Sequence, residues 1–317
     1  AVQVEAQSIW APQCWMDTIV ACNASLTRLP AELPTSLRHL RPAALLGHGA
    51  FAQVLEVADT TDGSRYALKV VQKEPLAVRG MLSQLAVEFG VQRSMRHPHI
   101  VGALELAEDA SHAYMLLELC TGGSVWGAVQ RLPDHVVPEA TSAAWLCDAT
   151  RGVAHLHELG LVHRDVKLEN LLLDSSGRVR LCDLGWCAFE ADQRKGKCGT
   201  PQLMSPEVLR GDPHTSKMDI WALGACLVQM LSGSSLSGPQ DAWLPRAASL
   251  EAHDLATGLL CLDPAGRIDA WTALEQPFLK AACGLAATSP PARGTGLPET
   301  CALVTIRRPA EPTQSPG

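Results

Sequence analysis

Residues 160–174 read G-L-V-H-R-D-V-K-L-E-N-L-L-L-D, which puts His163, Arg164, Asp165, Lys167, Glu169 and Asn170 between apolar flanks. Burying this many polar groups is costly unless each has a partner or a task. Their types suggest one task. Asp165 can accept a proton from an attacking hydroxyl, and Lys167 can neutralise a transferring phosphoryl group. Asn170 is a candidate metal ligand, and Asp183, thirteen residues on in C-D-L-G-W, is a second. Phosphoryl transfer asks for these parts, because positioning, metal binding and charge neutralisation do most of its work. A polar cap on a helix or turn would explain any one of these residues, but not the set.

Two upstream stretches supply what such a reaction still lacks. L-L-G-H-G-A-F-A-Q-V, residues 45–54, joins two β-like runs through Leu46, Gly47 and Gly49. Glycines let a hairpin backbone come close to phosphates and aim N–H groups at them. The same loop is also compatible with an ordinary turn. It lacks the following helix of a dinucleotide-binding fingerprint, and Ala52 stands at the third glycine of G-x-G-x-x-G. Lys69 lies in Y-A-L-K-V-V among apolar strand neighbours, so an anionic partner is expected. Glu88, on the helical segment that follows, is the candidate, and the pair would aim the ammonium at a nucleotide's phosphates.

These groups need a scaffold in two parts. Runs 51–59 and 64–71 are β-like, with D-T-T-D-G-S between them as a hairpin loop. Residues 81–95 have helical spacing, and 99–109 and 113–120 read as two more strands. After T-G-G-S the chain turns helical. Helices are expected over 138–160, 216–232, 247–261 and 270–280, with a short strand at 178–183. This order predicts an α+β, bilobal fold: a β-rich N-lobe (41–117), a hinge (118–123) and a helical C-lobe (124–283). Residues 1–40 read as an extension without a clear period. Residues 284–317, rich in Pro, Gly, Ser and Thr, read as a flexible tail.

Composition narrows the class. A chain of 317 residues, 47% apolar, can bury a sizeable core. Its net charge of −7 argues against a nucleic-acid binder. No run of about 18 apolar residues suggests a membrane span, and the first residues lack a secretory pattern, so an intracellular protein, in cytoplasm or nucleus, is expected. The 11 cysteines contain no C-x-x-C pair, and their odd number disfavours a full disulfide framework. Buried free thiols in a reducing compartment are expected.

Taken together, the glycine loop, the strand lysine, H-R-D-x-K-x-x-N, D-L-G and S-P-E (Ser205 to Glu207) resemble a eukaryotic-type Ser/Thr protein kinase domain over about residues 41–283. The resemblance implies ATP and Mg²⁺ as cofactors and protein serine or threonine hydroxyls as acceptors. It also implies roles. Asp165, Lys167, Lys69 and Glu88 would be catalytic, and Asn170 and Asp183 would hold the metal. Leu46, Gly47, Gly49, Val54, Ala67, Lys69, Glu118, Cys120 and Leu172 would bind the nucleotide. Within these, Leu117 is the gatekeeper by resemblance, Glu118 to Cys120 the hinge, and Val54, Ala67 and Leu172 the sandwich around adenine. Asp219 in M-D-I-W-A-L-G would bond the catalytic-loop backbone, and Arg267 would pair with Glu207. Within the family the chain is similar to Aurora kinases first, through D-L-G-W-C, G-G-S-V-W-G-A-V-Q and Gln92. Polo-like kinases come second, through Ala52 and the hinge L-E-L-C. That likeness implies a cell-division role, at the spindle or centrosome.

Several positions depart from the family pattern. Leu184 replaces the D-F-G phenylalanine, an apolar exchange that alters stiffness more than activity. No Ser, Thr or Tyr lies between Asp183 and Thr200. Gly196 stands where Aurora and polo-like kinases carry a phosphorylated Thr that pairs with the catalytic-loop arginine, here Arg164. Glu190 or Asp192 could stand in for that phosphate with less charge. Activity without activation-loop phosphorylation is therefore expected, with Thr200 bonding Asp165 and Lys167. The stretch before S-L-E-A-H-D-L is also about twenty residues shorter than in relatives, as a whole-family comparison. Glu169 suggests arginine-containing substrate sites. The rival class is a pseudokinase scaffold or binding module.

Overall fold

The computed structural model describes residues 33–49, 51–196, 198–234 and 244–283. The expected tail and all but the last residues of the expected N-terminal extension lie outside them. Five antiparallel strands form the first sheet: β1 (Leu40–His48), β2 (Ala52–Asp59), β3 (Arg65–Gln72), β4 (Ala103–Glu108) and β5 (His112–Glu118), in the order β1-β2-β3-β5-β4. The β2–β3 hairpin turns where the sequence suggests. Asp59 Oδ1 accepts from the Thr61 N–H at 2.7 Å, and Gly63 takes φ +77°. Alternation along the strands sends Leu55, Val57, Leu68, Val70, Tyr114 and Leu116 to one face. Val71, Ala113 and Met115 go to the other, where they meet Leu76 and Leu85.

Leu76 lies on a short helix, α1 (Lys73–Val78), that the sequence reading missed, and Leu85 on α2 (Leu82–Ser94). The buried side of α2 is Leu85, Glu88, Val91 and Gln92. Two of these four are polar, so α2 turns functional groups inward as well as apolar ones.

The helical part begins with α3 (Val125–Gln130), capped by Ser124 Oγ accepting from the Gly127 N–H. It continues with α4 (Glu139–Glu158), α5 (Pro206–Arg210), α6 (Lys217–Ser232), α7 (Leu250–Leu259), α8 (Ala270–Glu275) and α9 (Pro277–Cys283). Short strands β6 (Gly123–Ser124), β8 (Leu171–Leu173) and β9 (Val179–Leu181) form one small sheet, and β7 (Leu161–Val162) pairs with β10 (Ala188–Phe189). The core runs from Leu146, Val153 and Leu156 of α4 to Leu223, Cys226, Leu227 and Met230 of α6, and on to Leu255 and Leu259 of α7. Each such fully buried leucine is worth about 1.5–3 kcal/mol. Helix α6 is buried on nearly every side, which accounts for its unbroken apolar sequence.

Three expectations are corrected. The helix expected over 270–280 is two, because Pro277 holds Gln276 extended (φ −66°, ψ 142°). The strand expected from residue 99 begins at Ala103. Cys120, Cys182, Cys187, Cys198, Cys226 and Cys261 are free thiols as expected, but Cys147 is disulfide-bonded. Among the described residues no helix is long and apolar enough to cross a membrane.

Candidate active site

Strand register assembles the upper wall. Val54 pairs with Lys69, and Ala67 pairs with Leu117. Directly paired residues, and residues two apart on a strand, share a face, so Val54, Ala67, Lys69 and Leu117 line one side of the sheet. Leu46 sits at a bulge in β1 and is half exposed. A Cβ added to Gly47 would meet nothing within 4 Å, and one on Gly49 would meet only the Ala52 carbonyl at 3.8 Å. The protein's own packing does not demand these glycines, and their bare backbone leaves clearance over the crevice.

At its centre, Lys69 Nζ donates to Glu88 Oε1 at 2.6 Å and to Asp183 Oδ1 at 3.0 Å. Burial opposes the ammonium, but the Glu88 and Asp183 carboxylates more than offset it and hold Lys69 above the ordinary lysine range. The Lys69 charge in turn holds Asp183 below the usual carboxylate range. The expected Lys69–Glu88 pair is thus present, and α2 is also tied to the D-L-G turn by Gln84 Nε2, which donates to the Gly185 carbonyl at 2.5 Å. The fit at Gly185 is tight: a Cβ would lie 3.2 Å from Glu88 Oε2 and 3.3 Å from Asp183 Oδ1.

Below, Asp165 Oδ2 accepts from Lys167 Nζ at 2.7 Å, and its Oδ1 accepts from Thr200 Oγ1 at 3.1 Å. Lys167 Nζ also reaches Thr200 Oγ1 at 3.3 Å. Asn170 spends its Nδ2 on the Asp165 carbonyl and carboxylate, at 2.8 and 3.1 Å. Its Oδ1 therefore remains for a cation, as does Asp183 Oδ2. Two oxygen donors of this kind suit a hard divalent ion such as Mg²⁺. Leu172 lies on β8, paired with Ser124, and Cys120 lies just before β6. The Cys120 N–H meets no acceptor among the described residues, whereas burial pushes its thiol up to about 11. Glu118 turns its side chain away, accepting from the Gly102 N–H at 3.0 Å and from Arg180 Nη1 at 2.7 Å, and its own N–H donates to the Gly102 carbonyl at 3.1 Å.

The loop is held in a strained shape. Arg164 and Asp183 both have positive φ, +72° and +61°, a region that costs an ordinary residue about 1–2 kcal/mol. Asp219, 1% exposed, compensates: its carboxylate accepts from the His163 and Arg164 N–H groups, each at 2.8 Å, and bonds His157 Nε2 at 2.9 Å. His163 spans the two halves of the site, its Nε2 donating to the Cys182 carbonyl and its Nδ1 accepting from the Asp165 N–H. Arg267 makes a bidentate pair with Glu207 at 2.6 and 2.9 Å.

A family model described as "Protein kinase domain" matches residues 41–279. The chain belongs to the protein kinase domain family. Its curated relatives include serine/threonine-protein kinase N3 of Mus musculus, 30% identical over 84% of this chain and 32% of that protein. Serine/threonine-protein kinase PLK4 of Nematostella vectensis is 30% identical over 74% of this chain and 26% of that protein. Serine/threonine-protein kinase Sgk2 of Rattus norvegicus is 31% identical over 75% and 68%. The chain thus spans about a third or less of the first two relatives. The relatives are diverse serine/threonine kinases, and the comparison singles out no subgroup.

One kinase expectation fails. Neither Glu190 nor Asp192 meets Arg164. Glu190 Oε1 instead accepts from the Ser216 N–H at the start of α6, at 2.7 Å, and Asp192 faces Arg194 at 3.7 Å. Arg164 bonds His214 and the Trp186 carbonyl. Sequence reading had no signal for that histidine, fifty residues away. The Gln84 and Arg180 contacts were missed for the same reason.

Proposed function

We propose that this kinase domain, residues 41–283 with lobes 41–117 and 124–283 about the hinge 118–123, transfers the γ-phosphoryl group of ATP to serine and threonine hydroxyls of proteins. The observation that carries this reading is the Lys69 ammonium held between Glu88 and Asp183 beside an assembled Asp165–Lys167–Asn170 group. Lys69 orients the nucleotide's phosphates. Asp165 accepts the acceptor's proton, and Lys167 offsets charge on the moving group. Thr200 holds Asp165 in place. Asn170 and Asp183 would hold Mg²⁺, which when bound would neutralise phosphate charge. Leu46, Gly47, Gly49, Val54, Ala67, Leu172 and the main chain from Glu118 to Cys120 would enclose the nucleotide.

Within the family we favour an Aurora-like domain, with a polo-like one second, acting in cell division inside the cell, at the spindle or centrosome. D-L-G-W-C and Gln92 support this; Gln92 donates to the Val101 carbonyl at 2.5 Å from the buried side of α2. Glu169 is exposed and has no partner among the described residues, which supports arginine-containing substrate sites. Transfer of radiolabelled phosphate from ATP-Mg²⁺ to an arginine-containing serine peptide, with Asp165→Asn as the blank, tests the reading. Counts equal to the blank from a folded, ATP-binding sample would instead mark a pseudokinase scaffold.

A further inference from the structure

Arg164 is 9% exposed, and its guanidinium bonds no carboxylate among the described residues. Its Nε donates to His214 Nδ1 at 3.1 Å, and its Nη1 to the Trp186 carbonyl at 3.2 Å. His214, 3% exposed, lies between α5 and α6. Its Nε2 bonds the Gly196 carbonyl at 2.6 Å, and its backbone N–H donates to the Arg194 carbonyl at 2.7 Å. The chemistry of the partners assigns the tautomer. A guanidinium only donates, so Nδ1 carries the lone pair. A carbonyl only accepts, so Nε2 carries the proton. The ring is therefore neutral, and both of its nitrogens are used.

The segment it grips is otherwise held by Gln84 on the Gly185 carbonyl, Arg164 on the Trp186 carbonyl and Glu190 on the Ser216 N–H. Residues 184–199 contain no hydroxyl side chain that could be phosphorylated. Glu190 and Asp192 are committed elsewhere. Gly196 takes φ +94°, a conformation that a side chain would strain, and in it the Gly196 carbonyl reaches the imidazole. Gly199, φ +80°, then passes so close to the catalytic loop that a Cβ would lie 2.5 Å from the Arg164 carbonyl. One residue later Thr200 bonds Asp165.

We propose that His214 is a positioning residue: its neutral imidazole ties the activation segment, through Gly196, to the catalytic-loop Arg164, and so sets Thr200 against Asp165 without any phosphate. The surroundings agree with a neutral ring. Burial first, and then the Arg164 charge, hold His214 below the ordinary histidine range; the Gly196 carbonyl and the Asp219 and Glu207 carboxylates pull the other way. Cys198, whose Sγ lies 3.7 Å from Nδ1, is itself pushed up by burial and stays a thiol. The proposal rests on the kinase reading for its catalytic consequence, but not for the docking itself.

The test compares His214→Phe, His214→Asn and His214→Gln in the full chain by three readouts. These are trypsin cleavage after Arg194 and Lys195, kcat and KM for ATP with an arginine-containing serine peptide, and the thermal midpoint. His214→Phe keeps the volume and loses both ring bonds, so cleavage should be about tenfold faster and kcat about tenfold lower, with KM for ATP within about twofold. His214→Asn can still accept from Arg164 Nε, and His214→Gln can still donate to Gly196, so each should recover part of the loss. Wild-type cleavage and kcat in the Phe variant would overturn the proposal. So would equal losses in all three variants, which would mean that ring packing alone matters. If wild type itself transfers no phosphate above the Asp165→Asn blank, the kinase reading fails, and the cleavage series still decides the docking.

Discussion

Replacing Arg267 by Met should break the most deeply buried ion pair among the described residues of the helical lobe. The Arg267 side chain is 0% exposed and that of Glu207 is 4% exposed. Besides the two bonds to Glu207, Arg267 donates to the Lys217 carbonyl at 2.6 Å and to the Cys261 carbonyl at 3.0 Å, and its guanidinium lies 5.1 Å from the Trp221 ring centre. Methionine fills similar volume, so the cavity contribution is small. What remains is a buried carboxylate without its cation, and two carbonyls, of Lys217 and Cys261, without their donor. Breaking such a pair from one side costs about 3–5 kcal/mol. At ~2–4 °C per kcal/mol for a domain of this size, the thermal midpoint should fall by about 6–20 °C. Arg267→Met with Glu207→Leu removes the stranded charge and should recover at least about 1 kcal/mol relative to Arg267→Met alone. Thermal and urea unfolding of wild type, both single variants and the double variant complete the cycle. A single-variant loss under about 1 kcal/mol, or a double-variant loss equal to the sum of the singles, would refute the assignment of coupling to this pair.

Lys69→Met should lower peptide phosphorylation by about a hundredfold or more while leaving a folded protein, read by kinetics and circular dichroism; near-normal kcat would remove Lys69 from the chemistry. Thr200→Val removes the hydroxyl that bonds Asp165 and Lys167, and kcat should drop about tenfold with KM for ATP within about twofold. Acid should destabilise the fold through its histidines. Burial depresses His97 to about 4, with His155 stacked on it at 4.7 Å, and holds His99, His155 and His214 below 6.5 as well. Each binds its proton more readily when unfolded, so stability present above about pH 6.5 is lost as the pH falls toward 4. Urea titrations across that range check it, and a flat or rising stability would contradict it.

Much of the site was legible because its residues are close in sequence. Asp165, Lys167 and Asn170 fall within six positions, and a loop that short must bring them together. Lys69 and Glu88 were legible because a lysine among apolar strand residues needs an anion, and the helical segment over 81–95, here α2, carries one on its buried side. The break at Pro277 was also written in the chain and was overlooked. The stand-in role considered for Glu190 failed for a different reason. Acidity marks a residue as able to pair with Arg164, but direction depends on the backbone, and here Glu190 caps the start of α6.

By itself the sequence determined the groups available to this protein: a loop carboxylate, two ammonium groups, an amide and a second carboxylate as candidate cation ligands, and a segment 184–199 without a phosphorylatable side chain. Tertiary structure alone decided which of these meet. Lys69 reaches Asp183 across 114 residues, and Arg164 reaches His214 across 50. Such contacts leave no local period or propensity in the chain. They arise when the packing of α2, α4 and α6 fixes where each backbone runs, and burial then penalises every polar group that arrives without a partner.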